Sequence, residues 1–233
     1  NILEALQRII DCVHTSTSSR AFSLYGPYGT GKSSFSVFLS QLLGQDKALA
    51  SNALSFLEST TPDFIDRCRQ ARGNGFLTIS VTARKQAPGR IFCESIADAL
   101  NKLKATDAIS HLKDHLASIL SLELWKDSSV VLNVLKELVC QSKKQGFPGV
   151  LFILDEAGKI LEYALRDNID GDLYLFQEVA EFANHQEFPF ILLISLHQLF
   201  DEYVELADKT MRAEWNKVQE RFESIPFAES GVA

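Results

Sequence analysis

Eight consecutive residues, Gly26, Pro27, Tyr28, Gly29, Thr30, Gly31, Lys32 and Ser33, follow the spacing G-x-x-x-x-G-K-[ST]. The residue types suit polyphosphate binding for separate reasons. Glycines at 26, 29 and 31 let the backbone turn tightly and bring its N–H groups against phosphate oxygens. Lys32 carries a charge that can reach the β- and γ-phosphates, and the hydroxyl of Ser33, which Ser34 follows, is placed to hold Mg²⁺ beside them. A second pair, Asp155 and Glu156, closes the apolar run Val150, Leu151, Phe152, Ile153, Leu154. Asp155 would act on the Mg²⁺ shell, and Glu156 is the candidate base for an attacking water. The competing readings are a glycine turn that matches by chance and a strand that ends in solvated acids. Their occurrence in one chain argues against both.

The elements around these residues supply the needed context. Ala21, Phe22, Ser23, Leu24 and Tyr25 form a short apolar and aromatic run suited to a buried strand. Beyond the glycine loop, Phe35, Phe38, Leu39, Leu42 and Leu43 keep helical spacing up to Gly44. The run at 149–154 reads as a strand buried on both faces of a parallel sheet, so its two acids emerge at the C-terminal edge, where ligands bind in open α/β sheets. Residues 76–83 alternate and are rich in β-branched side chains, and 190–196 form another buried strand that ends in His197 and Gln198. Those two polar groups would face the γ-phosphate if their strand lies between the glycine-loop strand and the acidic one.

Helical spacing is expected over 2–13, 46–57, 62–72, 91–104, 107–124, 128–144, 157–165 and 173–185, with Thr61 as a cap and Pro62 in a first turn. An acidic loop is expected at 166–172, a polar helical stretch over 199–222, and a fifth strand in the short extended run at 225–227. Arg84, Lys85 and Arg90 read as a solvated loop rather than a phosphate-backbone contact. His111 and His115 stand four apart on one expected helix, yet without the intervening glutamate of H-E-x-x-H they read as surface residues.

Composition narrows the class. A chain of 233 residues with 46% hydrophobic and 23% charged residues has the mix of a globular α/β protein with one large core. Its net charge of -7 argues against binding nucleic acid through bulk charge, which leaves only a local basic patch for that role. Cys12, Cys68, Cys93 and Cys140 lie far apart and form no C-x-x-C pair, the pattern of buried thiols in a reducing cytosol. No signal peptide is read, and the longest apolar run, 188–196, is too short for a bilayer, so a cytoplasmic protein without a membrane partner is expected. The chain opens inside a helical pattern without an initiator methionine, which we read as a fragment of something longer.

Together, residues 26–33, Asp155 with Glu156, the polar end of 190–198, and Arg221 ahead of the fifth strand resemble the additional-strand class of P-loop ATPases, nearest to AAA+ and STAND-type modules. The resemblance covers nearly the whole chain and implies one domain over 1–233. It implies a parallel sheet of order 5-1-4-3-2 flanked by helices; the chain departs from the family in its helical insertions at about 45–75 and 84–148 and in the usual helical lid, which is absent or beyond the chain. It implies ATP with Mg²⁺ as cofactors, a γ-phosphate sensor among His197 and Gln198 with Ser195 behind them, and Arg221 as a finger that reaches a neighbouring subunit. It further implies a homo-oligomer or multi-protein complex in which ATP hydrolysis drives or gates a conformational change. The run from Asp155 through Ala164, with Glu214 and Trp215 ahead of Arg221, is similar to large bacterial ATPases of anti-phage defence systems.

Overall fold

Period-two alternation along three buried strands divides the core into two layers. The structure, a computed structural model, describes residues 2–15, 19–167, 170–198 and 215–227. Strands β1 (Ala21–Tyr25), β2 (Leu77–Thr82), β3 (Val150–Asp155), β4 (Phe190–Leu196) and β5 (Glu223–Pro226) pair in parallel in the order β2-β3-β4-β1-β5. Counted from the β5 edge this is 5-1-4-3-2. Phe152, Leu154, Leu192 and Ile194 point into one layer, whereas Leu151, Ile153, Ile191 and Leu193 point into the other. Successive side chains leave opposite faces of a strand, so continuous apolar runs are what a sheet covered on both sides requires.

Helices from the crossovers cover the two faces. Residues of α1 (Ile2–His14), α2 (Lys32–Leu43), α3 (Lys47–Thr60) and α4 (Ile65–Arg72) fill the layer with Ile153. Those of α5 (Pro88–Ala99), α6 (Asp107–Ser121), α7 (Ser128–Lys144) and α9 (Asp170–His185) fill the layer with Phe152. Between β3 and α9 lies α8 (Gly158–Asp167). Both expected insertions are thus helical, and each supplies a core layer rather than an appendage. No helix among the described residues is long and apolar enough to cross a membrane.

Side-chain caps start three of these helices. Asp46 accepts from the N–H groups of Ala48 and Leu49 at 2.9 and 3.1 Å, and Thr106 and Asp127 cap α6 and α7 in the same way. Thr61 does not cap as expected. Its hydroxyl donates back to the Leu57 carbonyl at 3.3 Å, and Pro62 opens a single 3₁₀ turn ahead of α4. The acidic loop expected at 166–172 is also shorter, since α8 runs to Asp167 and α9 begins at Asp170. Of the helical stretch expected over 199–222, residues 199–214 lie outside the described residues, and 215–219 are helical.

The end of the sheet at which the strands begin is tied by polar side chains. Asn184 on α9 accepts from the N–H groups of Arg20 and Ala21 at 2.7 and 3.1 Å, while its amide donates to the Arg221 carbonyl at 2.9 Å. Arg20, 4% exposed, donates to the carbonyls of Cys12 and Gln186. The four cysteines are free, and burial pushes the thiols of Cys12 and Cys93 up to about 12 and that of Cys68 up to about 11.

Phe92 is the densest aromatic contact of the layer on the Phe152 face, with ring centroids 4.9 Å from Phe152 and 6.3 Å from Phe176. Truncating it by Phe92→Ala leaves a cavity between α5 and the sheet and is expected to cost about 3–5 kcal/mol, read as a lower midpoint in urea unfolding.

Candidate functional site

The segments that carry the candidate chemistry meet where β1, β3 and β4 end. A cavity of about 200 Å³ is lined by residues 28–34 together with Asp155, Glu156, Ser195 and His197. Register explains the meeting. Tyr25 at the end of β1 lies opposite Leu196, and Leu154 opposite Ile194, so the loops after all three strands leave the sheet at one level.

The glycine loop is fixed from below and open above. Gly26 has φ 151°, and a Cβ there would lie 2.0 Å from the Phe227 carbonyl oxygen, so the chain leaving β5 excludes any side chain at this position. Gly31 has φ 91° and caps α2 without any side-chain acceptor. The N-terminus of this twelve-residue helix therefore presents its partial positive charge to the cleft. Lys32 is 6% exposed, and its ammonium donates to the carbonyls of Gly26 and Pro27 at 2.5 and 2.7 Å and to Thr30 Oγ1 at 3.3 Å. Burial pushes this lysine below its ordinary range, and the Asp155 carboxylate works against the shift.

Across the cleft, Ser195 organises both acids. Its hydroxyl donates to Asp155 Oδ1 and accepts from the Glu156 N–H at 2.8 Å, and the same N–H lies 3.0 Å from Asp155 Oδ1. The Ala157 N–H continues to the Ser195 carbonyl at 2.9 Å. These bonds hold Glu156 at φ 56°, a left-handed conformation uncommon for a residue with a side chain. The Glu156 carboxylate forms an ion pair with Lys159, the second residue of α8, and that carboxylate holds Lys159 above the ordinary lysine range. His197 stacks on Tyr28 with ring centroids 3.8 Å apart. Burial, and next the nearby Lys32, push His197 below its ordinary value against the pull of Glu156 and Asp155.

The donor set suits a polyphosphate with a hard cation. Ser33 and Asp155 bring a hydroxyl and a carboxylate oxygen to one cavity. A second cavity of about 170 Å³ behind them is lined by Ser33, Ser36, Ser40, Thr82 and Asp155, and the buried Ser36 hydroxyl has no hydrogen-bond partner among the described residues. Mg²⁺ is usually bound by one or two protein oxygens with phosphates and waters completing the shell, and this site provides that number. No group of three or more His, Cys, Asp or Glu residues fit to hold a metal occurs among the described residues, and His111 and His115 are exposed on α6.

Two expected site residues lie elsewhere. Gln198 is half-buried beyond β4 and does not line the cavity. Arg221 lies at the opposite end of the sheet, just before β5, where its Nε donates to Glu181 at 2.7 Å. Sequence reasoning missed the Lys159 contact and the Tyr28–His197 stack. An acid and a lysine three apart at a helix start would have flagged the first; no spacing rule predicts the second.

Comparisons with models of protein families and with curated proteins found no match for this chain. The functional reading therefore stands on residues and geometry.

Ser195→Ala removes the donor to Asp155 and the acceptor of the Glu156 N–H in one step. It is expected to cost about 1–3 kcal/mol of stability, since a part-buried donor loses an acceptor, measured by urea unfolding against wild type.

Proposed function

We propose that this chain is an ATP-binding and ATP-hydrolysing module of the P-loop kind, AAA+- or STAND-like, which drives or gates a conformational change in a larger assembly. The observation that carries the reading is the convergence in one cleft of a glycine loop on an uncapped helix, Lys32, Ser33, Asp155 and Glu156. The strand order and the two helical insertions are compatible with that class. The setting proposed is anti-phage defence, supported by the sequence resemblance around Asp155.

Each residue has a role that follows from its place. The loop N–H groups and the α2 N-terminus attract phosphate oxygens, and Lys32 can exchange its loop carbonyls for a β- or γ-phosphate. Ser33 and Asp155 would hold Mg²⁺, which when bound neutralises charge that builds on the phosphates. Glu156 accepts the proton of the attacking water. His197, stacked on Tyr28, would sense the γ-phosphate, and Ser195 keeps both acids aimed. Arg221, distant from its own Lys32, would serve only a site on a neighbouring subunit.

A second reading, a nucleotide-gated switch in which turnover is incidental, is favoured by one observation: Glu156 is paired with Lys159. Rapid turnover by the isolated chain would rule that reading out.

Lys32→Ala is expected to abolish tight nucleotide binding in a fluorescent-nucleotide titration, and wild-type affinity in that variant would overturn the proposal. Glu156→Gln is expected to bind normally while turnover falls roughly 10²–10⁴-fold. Arg221→Ala should bind ATP yet hydrolyse it slowly, since fingers contribute roughly 10³–10⁵ in other NTPases. Mixing that variant with Glu156→Gln should restore part of the rate, because a mixed interface can pair an intact Glu156 with an intact Arg221. An inert mixture with concentration-independent turnover would make Arg221 structural.

A further inference from the structure

The Glu156–Lys159 pair stands in the wall between two cavities. Glu156 lines the phosphate-sized cleft, whereas Lys159 lines a larger one of about 770 Å³ at the end of β2, walled by α5 and α6. This second cleft has its own unpaired charges. Arg84 and Asp98 both line it, are exposed, and have no side-chain hydrogen bond or ion pair among the described residues. Glu94, the other acid in its wall, is already occupied by Arg90 at 2.7 Å and by Gln86 at 3.2 Å. The cations open to a ligand are thus Arg84 and, through exchange, Lys159.

We propose that the cleft at the end of β2 is a regulatory site for a carboxylate-bearing ligand, and that its occupation draws Lys159 off Glu156. The licensing step rests on the ATPase reading; the ligand site does not. The cleft selects its ligand by charge. A carboxylate between Arg84 and Lys159 satisfies both cations, and Asp98 would favour an ammonium where the ligand carries one, so the class is an α-amino acid or an acidic peptide segment. The Glu156–Lys159 pair is made by side chains 28% and 38% exposed, and ion pairs in such surroundings are weak enough for a second carboxylate to compete. Once Lys159 has turned to the ligand, the Glu156 carboxylate is released to accept a proton from water. By reciprocity, a nucleotide state that needs Glu156 released also tightens the ligand.

The test uses L-glutamate and triglutamate as probes, with sodium chloride matched for ionic strength. Wild-type turnover is expected to rise at least about five-fold with one of them. A response to the amino acid identifies a small-molecule effector, and a response to the peptide alone identifies an acidic segment of a protein partner. Lys159→Met should show the raised rate without any probe, through kcat with KM for ATP unchanged, and should not respond further. Lys159→Arg, which keeps the pair, should return to the low basal rate. Turnover of Lys159→Met at or below that of wild type overturns the licensing step. Calorimetric titration of both probes into nucleotide-free protein gives a readout independent of hydrolysis: binding by wild type that is lost in Arg84→Gln supports the site, and absence of binding by wild type overturns it. Background turnover in every variant, together with Arg84-dependent binding, overturns the ATPase reading and the licensing step while it supports the ligand site.

Discussion

The Ser195 hydroxyl, reaching from β4 to Asp155 on β3, is the contact on which the cleft depends. A single oxygen donates to one acid and accepts from the backbone of the next, so the two strands fix the direction of both side chains at once. The arrangement also sustains strain. A left-handed conformation at a residue with a side chain costs on the order of 1–3 kcal/mol, and the Glu156 N–H recovers part of that through its contacts with Ser195 and Asp155. Without the turn at Glu156, α8 would leave β3 in another direction, and Lys159 would not lie beside the cleft. Parallel pairing of β3 with β4 is what brings Ser195 level with the acids.

Charge in the cleft is arranged in opposed pairs rather than as one basic patch. Lys32 is desolvated and bonded to loop carbonyls, Lys159 is bound to Glu156, and both cations lie close enough to Asp155 to be affected by it. A protein of net charge -7 can attract a polyanion only through such local organisation, since its far field repels. The uncapped start of α2 contributes in the same way, because backbone N–H groups add positive potential without adding to net charge.

Much of this was legible in the residues. Continuous apolar runs identified β3 and β4, alternation identified β2, and Gly44 marked the end of α2, because burial on both faces, burial on one face and helix termination each leave a local pattern. The helices of both insertions were legible for the same reason. Contacts made across the sheet were not. That Ser195 meets Asp155, or that Tyr28 stacks on His197, depends on register between strands far apart in the chain, which no window of sequence contains. Thr61 misled because a threonine before a proline suits a cap, whereas its hydroxyl had an equally close carbonyl one turn back. Of the two residues that end β4, His197 lines the cleft and Gln198 does not, a difference that depends on where the chain turns after the strand.

The two ends of the sheet differ in a way that bears on how subunits could cooperate. Where the strands begin, Asn184 and Arg20 satisfy backbone groups at Cys12, Arg20 with Ala21, Gln186 and Arg221, and that end is closed by side chains of the same chain. Where the strands end, donors at the glycine loop and α2 remain directed at a cleft. Arg221 belongs to the closed end but is held differently from Arg20. Arg20 is buried among carbonyls, whereas Arg221 is 36% exposed and held chiefly by the Glu181 carboxylate, itself 37% exposed. Ion pairs of that exposure contribute about 0.2–1 kcal/mol, whereas an arginine finger contributes roughly 10³–10⁵ in rate, equivalent to about 4–7 kcal/mol at 1.36 kcal/mol per tenfold. In the proposed assembly, the transition state on a neighbour's phosphate would therefore hold Arg221 more strongly than Glu181 does, so the intrachain pair would not prevent its transfer.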